Sequence, residues 1–413
     1  MAMLDFPASP TVGQTYTVGN LTWVWDGAKW QMSATLSGPF LPISGGTLTG
    51  PLILAADPAV LMGAATKNYV DTQNVLQNNA VAALPVAMND NRIINGAMSV
   101  DQRNNGGSVA VVGGYIIDRW NTWASTTGKA TAGRALSAAS DLAATGFGYC
   151  FRYTSLAAYT IPATETYGFG QPIEADLISD FAFGTPGAKP VTLSFWVYSN
   201  PVIGTFGGCL QSYATPYRSY PFTFSIPTAQ TWTKISITIP GDTGGSAVWP
   251  INGTVGAMYV IFDMGSGSGQ RGPANAWASA TYNGANGTVN VFSAPNNFFI
   301  TGVKLEIGSV ATPFNQQTLS KIMLDCQRYF SNSTILWFGA YSNASQSFGQ
   351  SIIFPARMRA PPTITFAGLT YVNASGIAIA SGPSQGSVGI YANATAAGQA
   401  VFSANSAILT AEL

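Results

Sequence analysis

Histidine is absent from this 413-residue sequence, and charge is scarce: 17 Lys+Arg stand against 17 Asp+Glu, only 8% of the residues, for a formal net charge of zero. Without histidine there is no Ser-His-Asp or Cys-His relay and no His-ligated zinc, so acid–base work would fall to carboxylates, Lys or Tyr. Soluble domains carry about 25% charged residues. A surface this poor in charge, with Lys and Arg scattered singly, has no field to attract polyanions, which excludes nucleic acid as a partner. Cysteine is nearly absent too. Cys150, Cys209 and Cys326 are odd in number, far apart and outside any CxxC spacing. They suit neither a disulfide framework nor a metal site, and read as buried thiols of a chain made in a reducing cytoplasm. No cofactor motif is present. The opening MAMLDFPASP lacks a basic, apolar-cored signal, and no run approaches the ~18 apolar residues of a membrane span, so neither export nor membrane insertion is expected.

What the sequence does have is apolar and aromatic material, with 47% hydrophobic residues, 22 Phe, 17 Tyr, 10 Trp, and 45 Gly to punctuate them. Residues 1–34 carry short aromatic runs between Gly13, Gly19 and Gly27, and the alternation Leu21-Thr22-Trp23-Val24-Trp25 before Asp26-Gly27 predicts a hairpin-rich mini-domain. Its core would be Tyr16, Trp23, Trp25 and Trp30. From about Pro58 to Leu84, Met62, Ala65, Tyr69, Thr72, Leu76, Asn79 and Ala83 recur at spacings of 3 and 4, a heptad seam. The seam is too weak for an isolated helix pair, so a short stalk of three or more chains is expected, with Met62, Tyr69 and Leu76 at its contacts. A single amphipathic helix lying on its own domain is the alternative.

Beyond Asn91 the period changes from helix to strand. Phe195 and Val197 alternate with Trp196 and Tyr198, Ile235, Ile237 and Ile239 with Ser236 and Thr238, and Val303, Leu305 and Ile307 with Lys304 and Glu306. About ten such segments linked by Gly/Pro/Asn turns predict a two-sheet sandwich of jelly-roll type over 91–316. Thr318 to Phe330 reads as a helix with Leu319, Ile322, Met323, Cys326 and Tyr329/Phe330 on one face. Residues 331–413 read as strands again. The expected fold is therefore mainly β, elongated and modular: an N-terminal β mini-domain (1–34), a glycine-bracketed segment and helical stalk (35–90), the jelly roll (91–316), a linker helix (317–330) and a C-terminal β domain (331–413).

Ser44-Gly45-Gly46-Thr47-Leu48-Thr49-Gly50-Pro51-Leu52 followed by Ala64-Ala65-Thr66-Lys67-Asn68-Tyr69-Val70-Asp71 resembles the GGTxTGPL…ATKxYVD signature of tail fibres of tailed bacteriophages. The opening 9–30, Asn95-Gly96 with Gln102-Arg103 and Asp118-Arg119-Trp120, and DCQRYF at 325–330 also look like parts of phage tail proteins. The stretches 191–199, 231–240 and 298–314 are similar to carbohydrate-binding jelly rolls carried by such fibres. This resemblance implies a homotrimeric virion component assembled in the host cytoplasm. Its N-terminal module, with Tyr16, Trp23, Trp25 and Trp30, would attach to tail or baseplate proteins, and its distal β region would face host cell-surface polysaccharide.

Sugar binding needs flat apolar faces for the C–H side of a ring and polar groups for its hydroxyls. Trp196 and Tyr198, on the face opposite Phe195 and Val197, are candidates. So is the loop Tyr213, Tyr217, Arg218 and Tyr220, since loops at sandwich ends often bind, and so are Trp123 and Trp277. Each aromatic alone is more often packing than ligand contact. Catalysis would need two carboxyls about 5–9.5 Å apart. The densest acidic cluster, Glu174, Asp176 and Asp180, reads as a solvated edge, so no enzyme is expected. A polysaccharide depolymerase and a purely structural tail or baseplate part are the alternatives. Asp263 in DMGSGSG lacks the spacing of a calcium loop, and no metal is expected.

Overall fold

The computed structural model describes residues 5–19, 21–33, 67–74, 91–136, 142–245, 248–341, 343–380 and 382–413. The chain folds as two compact units, Met1–Asn78 and Asn79–Leu413.

In the first unit, strands Thr15–Val18, Leu21–Trp25 and Trp30–Met32 form one antiparallel sheet. Tyr16 lies opposite Trp23, and Trp25 opposite Trp30. The ring cluster expected here forms, with a member the sequence did not suggest: Phe6 stacks on Trp30 at 5.1 Å and meets Trp23 edge-on at 5.6 Å. So small a sheet has little else to bury, and aromatic pairs add about 0.5–1.5 kcal/mol each beyond area burial. Residues 67–74 are helical, with Tyr69 half-buried. Met62 and Leu76, the other predicted seam positions, lie outside the described residues.

The second unit contains two antiparallel six-stranded sheets. Sheet I runs Thr233–Ile239, Val191–Asn200, Asn296–Ile307, Tyr149–Ser155, Ala130–Leu136, Val109–Ala110. Sheet II runs Ser219–Ile226, Gly204–Ser212, Gly256–Ser266, Thr166–Glu174, Trp120–Ala124, Gly114–Ile117. The chain passes repeatedly from one sheet to the other, as in a jelly roll. The predicted alternation holds: Phe195 and Val197 are buried between the sheets, and Phe195 meets Phe262 of sheet II at 5.1 Å. Phe206 and Phe298 close the same layer at 5.6 Å. At about 1.5–3 kcal/mol per fully buried large apolar side chain, this layer is the main source of stability.

Helix Leu319–Gln327 follows, with the Thr318 hydroxyl accepting from the Lys321 amide as its N-cap. Ile322 and Cys326 are buried as expected, but Leu319 is 60% exposed. Its position in the first turn carries it past the packed face. The C-terminal region forms two three-stranded sheets, Phe330–Tyr341, Gly398–Thr410, Thr363–Val372 and Ser347–Ile353, Ser387–Asn393, Ala378–Ile379. They share one core containing Phe348, Met358, Ile390 and Phe402.

The motifs Asn95-Gly96, Gln102-Arg103, Asp118-Arg119-Trp120 and DCQRYF converge on the junction between these two sandwiches. Asn95 receives the Trp120 indole N–H on its carbonyl at 3.1 Å and donates its amide to Asp118 O at 3.1 Å. Gly96 is required because a Cβ there would lie 2.1 Å from Val303 O. Asp118 accepts the Gln102 backbone and side-chain N–H groups at 2.6 and 2.7 Å; burial still pushes its carboxyl above the usual aspartate range. Arg119, in left-handed backbone at φ +71°, lies 3.6 Å from the Tyr329 ring centre and donates to Pro172 O and to Glu412. Arg103 holds the other Glu412 oxygen at 2.6 Å and lies 3.7 Å from the Phe330 ring centre. A carboxylate next to the C-terminus thus ties the last strand to the jelly roll.

Candidate functional site

The outer face of sheet I carries a row of side chains set by strand register. Tyr198 lies opposite Phe299, Phe299 opposite Arg152, and Arg152 opposite Gly133. Because Phe298 turns into the core, its neighbour Phe299 must face out. Gly133 leaves room for the loop after residue 104: a Cβ there would sit 2.4 Å from Gly107 O. That loop walls a cleft of about 700 Å³ lined by Asn105, Gly106, Arg134, Ala135, Leu136, Tyr149, Arg152 and Phe299. On the same face a second cleft of about 340 Å³ is lined by Phe147, Trp196, Lys234, Phe314 and Gln316, among others. Both volumes fall in the ~300–1,000 Å³ range of ligand sites.

The first cleft has an aromatic floor and cationic walls. The Arg134 guanidinium lies 4.5 Å from the Tyr149 ring centre and donates to Ser99 O at 2.8 Å. Arg152 has its Nε buried without a hydrogen-bond partner. Behind Phe299, Tyr198 packs at 5.4 Å and Trp232 at 6.4 Å, fixing the ring's orientation. Cys150, on the neighbouring rung, donates weakly to Ala135 O, and burial pushes its thiol up to about 12. All three cysteines are buried and free of disulfides.

The predicted sugar-binding residues separate into four places. Trp196 does face away from the core and lines the smaller cleft. Tyr198 faces the same way but is only 6% exposed, covered by Trp232 and Phe299; it supports the site and offers no platform. Trp123 and Tyr213 lie on the outer face of sheet II, each near Tyr259, at 5.7 and 6.2 Å. The loop set does not form a site. Arg218 makes two bonds to Asp242, at 2.9 and 2.5 Å, and a third to Ser279 at 2.9 Å. The Trp249 indole donates to the same Asp242. Tyr220 is buried against Trp277 at 5.3 Å, and Trp277 donates to Pro240 O at 2.8 Å. Arg218 and Trp249 hold the loop in place because a buried carboxylate requires partners. Tyr217 is left half-buried beside them.

The acidic cluster is dispersed. Glu174 is 1% exposed and receives Arg328 at 2.6 Å, which corrects its reading as a solvated edge; Asp180 pairs with Arg92 and Asp176 caps the Gly253 amide. Asp263 is buried, with its oxygens taken by Ser266 and Arg271. Among the described residues no three His, Cys, Asp or Glu side chains gather as metal ligands, and no helix is long and apolar enough to cross a membrane. Tyr149, Arg152, Trp232 and Phe299 were missed from the sequence. The strand pattern around 298–301 signals an outward aromatic, but Phe298 and Phe299 are adjacent, and only the register decides between them.

No protein-family model matches the sequence, and no curated protein matches it. Among solved structures, the chain is similar to a putative sugar binding protein from Bacteroides thetaiotaomicron, with 10% identity and TM-score 0.32 over 53% of this chain and all of that one. A family 11 carbohydrate-binding module of a Clostridium thermocellum cellulase aligns with 11% identity and TM-score 0.25 over 50% of this chain and 99% of the module. The enzymatically active domain of bacteriophage CBA120 tailspike protein 4 aligns with 11% identity and TM-score 0.28 over 53% of this chain and 21% of that one. Likeness at this level carries no functional argument.

Proposed function

We propose that this chain is a non-catalytic glycan-binding protein that holds a saccharide on the outer face of sheet I. The observation that carries this reading is the 700 Å³ cleft, where Phe299 and Tyr149 meet Arg134, Arg152 and Asn105. Apolar lining with a few fixed polar groups is what a small-ligand site requires. A sugar ring lays its C–H face on Tyr149, and the guanidiniums and amide take its hydroxyls. The carboxylates named above are each engaged by partners in separate parts of the fold, so none of them forms an opposed pair across this cleft.

The resemblance of 44–52 and 64–71 to phage tail fibres supports a finer reading: a homotrimeric receptor-binding protein of a phage tail. The Tyr16, Trp23, Trp25 and Trp30 module would attach to the virion, and the cleft would engage host surface polysaccharide. By analogy with base stacking on aromatics, at ~1–3 kcal/mol per contact, one cleft binds weakly. Three on one particle would act together at an effective concentration up to about mM.

A glycan array probed with the full chain tests the proposal. Binding that is lost in Tyr149→Ala, a half-buried position, while the cooperative melting transition is retained, is expected. Absence of binding to any glycan or to host envelope polysaccharide would favour the scaffold reading. A fall in polysaccharide chain length during incubation would make the protein a depolymerase.

A further inference from the structure

Seven arginines lie between residues 91 and 316, at 92, 103, 119, 134, 152, 218 and 271. Five are paired with carboxylates: Arg92 with Asp180, Arg103 and Arg119 with Glu412, Arg218 with Asp242, Arg271 with Asp263. Among the described residues, the two without a carboxylate partner are Arg134 and Arg152, and both line the 700 Å³ cleft. Among the described residues, no Asp or Glu lines it. Arg134 is already held by Ser99 O and the Tyr149 ring. Arg152 is half-buried, has its Nε sealed off without an acceptor, and stands beside Phe299 in the centre of the row.

A partly desolvated guanidinium with no counter-charge is costly. Elsewhere in this jelly roll that cost is met by pairing, so its persistence at two positions on one cleft wall marks a place for an external anion. Arginine's planar fork matches an anionic oxygen pair in bidentate fashion, while half-buried Tyr149 supplies the apolar ring face that a free inorganic anion would not use, with buried Phe299 packed beneath the cleft floor. We infer that this cleft selects an acidic saccharide, one whose ring lies on Tyr149 and whose anionic group pairs with Arg152, Arg134 standing second to it. This inference rests on the glycan-binding reading of the same cleft and narrows it to a substrate class.

The test uses the full chain and immobilised oligosaccharides in matched pairs. Uronic-acid and sialic-acid oligosaccharides are each paired with their carboxyl-reduced forms, and phosphorylated oligosaccharides with their dephosphorylated forms. At least one acidic member should bind about tenfold or more tightly than its neutral partner, the expectation for a charge-assisted bond. Which pair responds distinguishes carboxylate from phosphate. Arg152→Gln should erase the preference and Arg152→Lys should keep part of it, both with unchanged melting temperature. In the wild type the preference should weaken between about 50 and 500 mM salt. Equal binding within every pair, or a preference that survives Arg152→Gln, overturns the inference. If acidic and neutral members bind equally and Tyr149→Ala abolishes that binding, the glycan reading stands and this one falls. If no glycan of either kind binds, both fall.

Discussion

Glu412→Gln is a sharp perturbation of this fold because it keeps side-chain shape and one acceptor oxygen while removing a charge that two arginines share. Arg119 is 1% exposed and Glu412 7%, so the change leaves a buried guanidinium without a counter-ion. Removing one partner of such a pair costs about 3–5 kcal/mol. Arg119 keeps Pro172 O and the Tyr329 ring, and Arg103 keeps the Phe330 ring, which places the loss near the lower end. At roughly 2 °C per kcal/mol for a unit of this size, the melting temperature should fall by about 6 °C. Differential scanning calorimetry of the full chain reads it directly. A second variant separates charge from packing: Arg103→Met and Arg119→Met with Glu412→Met should recover more than half of the loss, because apolar replacement of a buried ionic group is often neutral. A Glu412→Gln melt within about 1 °C of wild type would refute the reasoning, since the junction would then be held by rings and backbone bonds alone.

Other consequences follow from particular contacts. Arg218→Ala strands Asp242, 1% exposed, and should cost about 3–5 kcal/mol in chemical denaturation. Burial opposes the ionised Asp242 carboxyl, but the Arg218, Trp249 and Gly244 donors outweigh it and hold its pKa below the ordinary 3.8. That contribution is therefore present above pH 3.8 and lost as pH falls through the lowered value, and Arg218→Ala should flatten this acid arm of the stability profile. Gly133→Ala forces a Cβ against Gly107 O and should displace the cleft wall, weakening glycan binding more than it lowers the melting temperature. Cys150, Cys209 and Cys326 are buried with thiols pushed up by burial, so a thiol reagent should label none in the native chain and three after denaturation.

Much of the fold was legible because its signals are local. Alternation at 191–199 and 233–239 reports which side chains meet the opposite sheet, and Thr318 marks a helix start wherever the chain goes afterwards. Trp196 could be placed on the outer face for the same reason. The cleft is different in kind. Phe299 and Arg152 become neighbours through a pairing 147 positions apart in sequence, and nothing near either residue announces it. Arg218 looked like a binding residue because its loop is rich in tyrosine; its partner Asp242 is 24 positions away. Glu412 gave no signal either, since an acidic residue beside the C-terminus reads as solvated until the strand Gly398–Thr410 carries it back to the jelly roll.

A structure of the full chain with the oligosaccharide that binds best on the array tests the account most directly. The expected result is a sugar ring on Tyr149 with its polar groups at Arg152, Arg134 and Asn105. Sugar seated instead on the Trp123, Tyr213 and Tyr259 face of sheet II, with the sheet I cleft empty, would contradict it.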